Sequence, residues 1–332
     1  MKKNICITLL LISSIVINAQ SKKAKTVLDS TIAIMKVNST NSKQVDWTLL
    51  TSEAYKLAKN AKAPEDLRNS IQFLFKSLGD FHGRFRYKDS IFRWEKEQIV
   101  LNDEYRAAFK KKGNKFFTKD LGEIGYLRIP TTDQEITKER GQALQDSLCM
   151  LLSAKPKGLI FDLRLNYGGT MWPMILGVSN VLQKGIVGGF SFADGSVSHW
   201  IIDEENIYEG ENKITSITNK CGPNYDIPIA IITGPWTASA AEDLVIAFKT
   251  RPHTIFIGEP TTGATTSVNG FRVNEDSWIN LSVASLIDKN KALYKGKIQP
   301  DILVDDGDDF SNLENDSKVK RALEYINNYS RK

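Results

Sequence analysis

From Phe116 onward, short and largely apolar runs alternate with stretches of helical periodicity, and this alternation most restricts the fold. Ile124 to Ile129 reads as a strand and Gln134 to Leu152 as an amphipathic helix. Gly158 to Leu163 and Ile227 to Thr233 read as buried strands, Ala240 to Lys249 as a helix, and Thr254 to Ile257 as a further strand. Strands apolar on both faces belong to parallel sheets covered by helices, so the expected class is α/β. Upstream, Leu49, Leu50, Tyr55, Leu57 and Ala58 recur at helical spacing, as do Leu67, Ile71, Leu74, Phe75 and Leu78, with Pro64 at a first helical turn. Residues 23 to 80 therefore read as helices, and a mixed, charged segment follows to about Asn114. Gly185 to Tyr225 is polar and hairpin-like, with Asp194-Gly195 as a turn signal, and is expected to insert over the core. From Ser311 a terminal helix places Val319, Leu323 and Ile326 on one face.

Of 332 residues, 41% are hydrophobic and 25% charged, which excludes a disordered, collagen-like or multi-span chain. The first residues read as an address. Lys2 and Lys3 precede the apolar run Ile5 to Ile17, and Ala19 offers a small residue for signal peptidase. A run of thirteen residues falls short of the ~20 that span a bilayer, so an export signal is expected rather than a retained anchor. Cys6 lies too early in the run to be a lipoprotein cysteine. Without Lys2 and Lys3 the chain has 42 basic against 39 acidic residues, too even and scattered for a nucleic-acid surface. Cys149 and Cys221 remain after cleavage; two cysteines make no disulfide framework, one bridge between them has no support in the sequence, and two separately buried thiols are expected. The expected organisation is a signal peptide over 1–19, an N-terminal helical subdomain over 20–115, a core over 116–310 and a C-terminal helix over 311–332.

There is no HExxH or CxxC to ligate zinc, no GxSxG elbow and no phosphate-binding glycine loop, so no metal or organic cofactor is expected. Three segments could carry chemistry. In Thr237-Ala238-Ser239-Ala240-Ala241-Glu242-Asp243, a serine stands where a strand turns into a helix, beside unpaired N–H groups able to stabilise an oxyanion. Ser239 and Glu242 equally fit an S-x-x-E capping box. The strand ending in Asp162-Leu163-Arg164-Leu165-Asn166-Tyr167-Gly168-Gly169 runs into a glycine pair that lets backbone N–H groups approach a ligand; a plain strand-to-helix turn, with Asp162 and Arg164 paired for structure, also fits. His82 sits in a loop after a helix, as a packed residue or as a base. Nothing raises His199 or His253 above structural roles.

The order GLIFDLRLNYGG, TASAAED, GEPTTG and KIQPDI, with LGDFHGRF upstream, resembles the C-terminal processing (tail-specific) serine proteases and the related tricorn protease core, over about Leu121 to Val304. The resemblance implies a ClpP/crotonase-like core of stacked sheets and helices. It implies Ser239 as nucleophile, and an oxyanion hole from the N–H of Ala240 with that of Gly168 or Gly169. Tail-specific members carry a lysine base where this chain has Ala264. The tricorn branch uses an upstream histidine, which His82 matches, so the chain is placed nearer that branch. Phe81 stands where that branch has a serine, and Tyr294 or a neighbour stands near its supporting glutamate, leaving the group that orients His82 unassigned. About 40 residues separate His82 from Ile124, too few for a PDZ domain.

The expectation is a secreted or periplasmic serine endopeptidase acting on peptide or protein substrates, without nucleic acid and without stable membrane insertion once the signal is cleaved. The alternatives are an inactive peptide-binding homologue of the same fold and a crotonase-type acyl-thioester enzyme.

Overall fold

The computed structural model describes residues 20–94, 103–112, 115–132 and 137–329. The expected signal peptide and Gln134 to Ile136 of the expected helix lie outside the described residues.

Among the described residues three α-helices come first, α1 (Lys22–Asn38), α2 (Trp47–Leu57) and α3 (Arg68–Ser77). Side-chain oxygens cap the first two: Ser21 accepts from Ala24 N–H and Asp46 from Thr48 and Leu49 N–H. The charged stretch beyond them then forms strands β1 (Arg84–Tyr87) and β2 (Ser90–Phe92) and helix α4 (Asp103–Lys112). Next come β3 (Phe117–Asp120), β4 (Ile124–Arg128), α5 (Thr137–Ser153), β5 (Gly158–Asp162) and α6 (Met171–Gly177). Four antiparallel strands follow, β6 (Gly185–Phe192), β7 (Val197–Asp203), β8 (Asn206–Glu209) and β9 (Asn212–Ser216). The chain continues through β10 (Ile229–Thr233), α7 (Ala240–Lys249), β11 (Thr254–Gly258), β12 (Thr266–Arg272) and β13 (Ser277–Ile287). It ends with β14 (Leu293–Tyr294), β15 (Ile302–Leu303) and α8 (Ser317–Tyr329).

These elements make the mixed α/β architecture that the alternation implies. One sheet has the order β15-β11-β10-β5-β4-β3, parallel except for β3 at its edge. Both faces of its central strands are buried, as in a sheet covered on both sides. Leu159, Phe161, Ile229 and Ile231 face the main core with α5, α6 and α7, while Ile160, Ala230 and Ile232 face α8. Val319, Ala322 and Ile326 are the α8 residues buried there, close to the face expected from the sequence.

The second sheet is antiparallel, ordered β2-β1-β13-β6-β7-β8-β9, with β12 and β14 also paired to β13. It corrects one expectation. Gly185 to Tyr225 is no insertion over the core: β6 pairs with β13, and Val187, Phe190, Trp200, Ile202 and Ile207 enter the main core. Alternation along these strands sends polar residues outward and apolar ones inward, so average polarity concealed a buried face. β1 and β2 join the same sheet, and α1 to α3 pack on it around Phe85, Phe92, Ile279 and Leu281.

The cysteines correct another. Cys149 on α5 and Cys221 after β9 form a disulfide with a Cα–Cα distance of 5.5 Å, within the range that bridged pairs adopt. They are 72 residues apart in sequence, and only the docking of the β9 segment on α5 brings them together. Gln142 fixes the same contact, accepting from Thr218 N–H at 2.7 Å and donating to its carbonyl at 3.1 Å.

At the carboxyl end of β5, Arg164 is fully buried among three carboxylates. It meets Asp162 and Asp316 at 2.7 Å and Asp308 at 2.6 Å. Burial would push the Asp162 carboxyl up, but the charge and hydrogen bonds of Arg164 outweigh it and hold Asp162 well below the usual carboxylate range. The structural reading of that pair was correct. Removing one partner of a buried ion cluster strands the others, so Arg164→Met is expected to cost ~3–5 kcal/mol of unfolding free energy. Urea denaturation measures this; unchanged stability would mean the cluster does not hold the C-terminal segment to β5.

Candidate active site

β5 and β10 are adjacent and parallel, with Asp162 opposite Ile232. Their following loops therefore leave the sheet at one edge, the place where open α/β sheets bind ligands. The β5 loop carries Asn166-Tyr167-Gly168-Gly169 and the β10 loop carries Ser239. Asn166, fully buried, stitches them together: its side chain accepts from Gly168 N–H at 3.0 Å, and its carbonyl accepts from Ala238 N–H at 3.1 Å. Thr237 adds a second tie, donating its hydroxyl to the Leu163 carbonyl at 3.0 Å.

Ser239 has φ 54° and ψ −123°, a conformation that residues with a side chain rarely adopt. Such strain costs roughly 1–3 kcal/mol and persists only where the surroundings enforce it. Glu242 supplies the enforcement. Fully buried, it accepts from Ser239 N–H at 2.8 Å, from Gly263 N–H at 2.8 Å and from the Thr261 hydroxyl. Burial pushes its carboxyl up to about 7 against the pull of those bonds. The carboxylate arm of the capping box is thus real. Its other arm is not used: Glu242 N–H bonds the Ser239 carbonyl at 2.6 Å, and the Ser239 hydroxyl makes no cap bond.

Gly168 and Gly169 have φ of 112° and 110°. A Cβ on Gly168 would lie 2.9 Å from the Ser239 Cβ, and one on Gly169 would lie 1.6 Å from the Thr132 carbonyl oxygen. Both positions exclude a side chain. The two glycines differ as donors, because the Gly168 N–H is committed to Asn166. Among the described residues no acceptor takes the N–H of Gly169 or of Ala240 at the start of α7. The sequence left Gly168 and Gly169 as alternatives; this bonding leaves Gly169 as the available donor.

His82 meets Ser239 across one cavity of about 750 Å³, whose wall also includes Gly169, Ala240, Ala264 and Thr266. No direct hydrogen bond joins the His82 ring to the Ser239 hydroxyl among the described residues. Instead His82 Nδ1 lies 3.0 Å from Thr266 Oγ1. Burial lowers the His82 pKa below its ordinary value, partly offset by the charge of Asp80. Tyr294, considered beside the missing glutamate, donates to Asp288 at 3.2 Å instead. Thr266 escaped the sequence reading because nothing local marks one threonine on a strand as the partner of a histidine 184 residues away. His199 and His253 do not line the cavity, and His253 Nδ1 pairs with the Tyr329 hydroxyl.

Asp243, one residue beyond Glu242, also lines the cavity. Burial, then the neighbouring Glu242 charge, raises its carboxyl well above the usual range. Among the described residues no group of three or more His, Cys, Asp or Glu side chains is placed to hold a metal ion.

The arrangement offers a hydroxyl held on a strained turn, two backbone donors and an imidazole around one open space. Residues 123–304, more than half of the chain, match the family described as Peptidase family S41. The chain is 28% identical over 207 residues to the nisin-resistance protein of Lactococcus lactis subsp. lactis, covering 60% of this chain and 63% of that protein. It is 25% identical over 227 residues to the carboxy-terminal processing protease CtpB of Bacillus subtilis (strain 168), covering 68% of this chain and 41% of that protein. The chain thus spans less than two thirds of either relative. A solved structure of a lipoprotein from Streptococcus agalactiae shares the fold, with a TM-score of 0.64 and 21% identity over 98% of this chain and 100% of that one.

The Thr132 carbonyl leaves no room for a side chain on Gly169. Gly169→Ala is therefore expected to destabilise the fold by more than ~1 kcal/mol, since alanine is forced into a positive φ as well. Thermal unfolding tests this, and a variant as stable as the parent would show that the loop is not pinned to Thr132.

Proposed function

The chain belongs to peptidase family S41, and from that membership we propose that it is an exported serine endopeptidase, without a PDZ domain, acting through an acyl-enzyme on Ser239. The observation that carries this reading is the convergence on one cavity of the strained Ser239, His82 and the open N–H groups of Gly169 and Ala240. Ser239 Oγ attacks the peptide carbonyl while His82 takes its proton. The carbonyl oxygen, becoming an oxyanion, is received by the N–H groups of Gly169 and Ala240. His82 then gives the proton to the leaving amine, and water releases the acid by the same steps in reverse order.

The histidine assignment is supported by the cavity wall, where the described residues include His82 and Ala264 but no lysine. This supports a place nearer the tricorn-like branch than the serine–lysine one. The Cys149–Cys221 bridge favours export, since disulfides persist in oxidising compartments. Among the described residues no helix is long and apolar enough to cross a membrane. Between β1 and β4 the described residues form only β2, α4 and β3, which supports a peptidase lacking the PDZ module. A second reading, an inactive peptide-binding homologue, draws on the lack of a direct Ser239–His82 hydrogen bond. Catalytic bonds often tighten only in the substrate complex, which is why the first reading is preferred.

Labelling with a fluorophosphonate, followed by a peptide-library cleavage assay, separates the two. The parent is expected to label at Ser239 and to cleave. Ser239→Ala and His82→Ala should each lose at least ~10³-fold in rate with the fold retained. The acid limb of kcat/KM should lie below the ordinary histidine value of ~6.5, because a base must be neutral and a lowered pKa keeps it neutral into more acidic solution. An unlabelled Ser239 in a folded protein would establish the binding-protein reading instead.

A further inference from the structure

Behind His82 lies a chain of hydrogen bonds that ends on a buried carboxylate. His82 Nδ1 is 3.0 Å from Thr266 Oγ1, which is 2.9 Å from Ser282 Oγ. Ser282 Oγ donates to Asp80 Oδ1 at 2.7 Å. Asp80 and Ser282 are buried, 5% and 2% exposed, so solvent does not substitute for these partners. Three separate parts of the fold contribute: Asp80 follows α3, Thr266 opens β12 and Ser282 lies on β13. The pairing of β12 on β13 shifts register between Ser267 and Val268, where Val283 on β13, next to Ser282, is passed over. Such irregularities in a ladder are common beside active sites.

We infer that Asp80, Ser282 and Thr266 form a positioning relay that fixes His82 in one tautomer, with its proton on Nδ1 and its lone pair on Nε2. The inference rests on the reading of His82 as the base. Its direction follows from counting protons. Asp80 already accepts two backbone donors that cannot reverse, Gly83 N–H at 2.7 Å and Ser282 N–H at 3.0 Å. Surrounded by donors, it is an acceptor for the Ser282 hydroxyl too. A hydroxyl has one proton, so Ser282 Oγ, having donated to Asp80, must accept from Thr266. Thr266, having donated to Ser282, must accept from His82. Nδ1 therefore carries the hydrogen and Nε2 is left bare, as a base requires.

The site of the relay is closely fitted. A Cβ on Gly83 would lie 2.5 Å from Asp80 Oδ2, so glycine at that position lets the backbone close over the carboxylate. The charged neighbours of the ring oppose each other: Asp80 favours the imidazolium and Arg84 disfavours it. The relay adds what a point charge does not, a directional bond that holds the ring plane and selects one nitrogen. This also explains how a chain with Tyr294 bonded elsewhere can dispense with a carboxylate directly on the histidine.

The test uses the full mature chain labelled with ¹⁵N-histidine. There are three histidines, so His82→Gln identifies its ring signals by difference. In the parent, the ¹⁵N shifts should report Nδ1 protonated and Nε2 bare; the opposite tautomer overturns the relay whatever the activity. Thr266→Val keeps the branched shape suited to a strand but removes the oxygen. It should populate both tautomers and slow fluorophosphonate labelling and kcat about 10–10²-fold, no more than the lower end of the ~10²–10⁴-fold that a general base contributes, since the base itself remains, with KM little changed. Thr266→Ser restores the oxygen and should recover both the tautomer and most of the rate. A Thr266→Val protein that keeps the parent tautomer and labelling rate overturns the inference. If His82→Ala retains activity while the parent tautomer is as expected, the assignment of His82 as base has failed and the relay as a tautomer lock stands.

Discussion

Arg164 is the residue on which the placement of the site depends. Its guanidinium binds Asp162 at the end of β5 and, through Asp308 and Asp316, the segment that leads into α8. Lys318, itself buried, extends the cluster from Asp308 to Glu259 after β11, at 2.8 and 3.1 Å. The Phe310 ring covers the guanidinium at 4.4 Å. Burying so many charges gains little stability compared with a well-packed apolar cluster. What it fixes is geometry, because each carboxylate has only one arrangement in which its charge is compensated. The loops leaving β5 and β11 are thereby held at one edge, the β10 loop is tied to the first by Thr237 and Asn166, and the glycine pair, Ser239 and the Thr261 to Ala264 turn meet there.

Glu242 plays the corresponding part inside the site. Its carboxyl group joins the N–H of the strained serine to Thr261 and Gly263, so two loops share a single buried acceptor. The cap reading and the nucleophile reading of Ser239-Ala240-Ala241-Glu242 turn out to describe different atoms. The glutamate caps the backbone, which leaves the serine hydroxyl uncommitted to the helix. A positive φ at a residue with a side chain is tolerable because the same acceptor that caps the helix also fixes that peptide.

The antiparallel sheet brings in the histidine. His82 follows α3, and the strand after it, β1, pairs with β13, which itself carries β12. Thr266 and Ser282 are on those two strands, so the sheet that receives the N-terminal helices also supplies the groups behind the imidazole. Strands from Arg84 to Phe92 were not evident from a segment rich in charge, because their burial alternates and depends on Phe85, Tyr87 and Phe92 entering a core built by distant helices.

The parallel strands, the helices at both ends and the motifs around Gly168-Gly169 and Ser239 could be read from the chain directly. Each is a local pattern: apolar periodicity, turn chemistry, or a run of residues whose backbone needs are met within a few positions. Contacts between remote positions could not be read in this way. The Cys149–Cys221 bridge, the choice of Gly169 over Gly168 as the open donor and the partner of His82 all depend on which surfaces dock, and a bond between residues 72 or 184 apart leaves no periodic trace. Gly185 to Tyr225 fell between these cases, with its turns legible and its place in the sheet concealed, since strand pairing is decided by the partner's edge. Sequence determined which residues could react. Tertiary packing decided which hydrogen bonds those residues had left to give, because burial forces each polar atom to choose one partner.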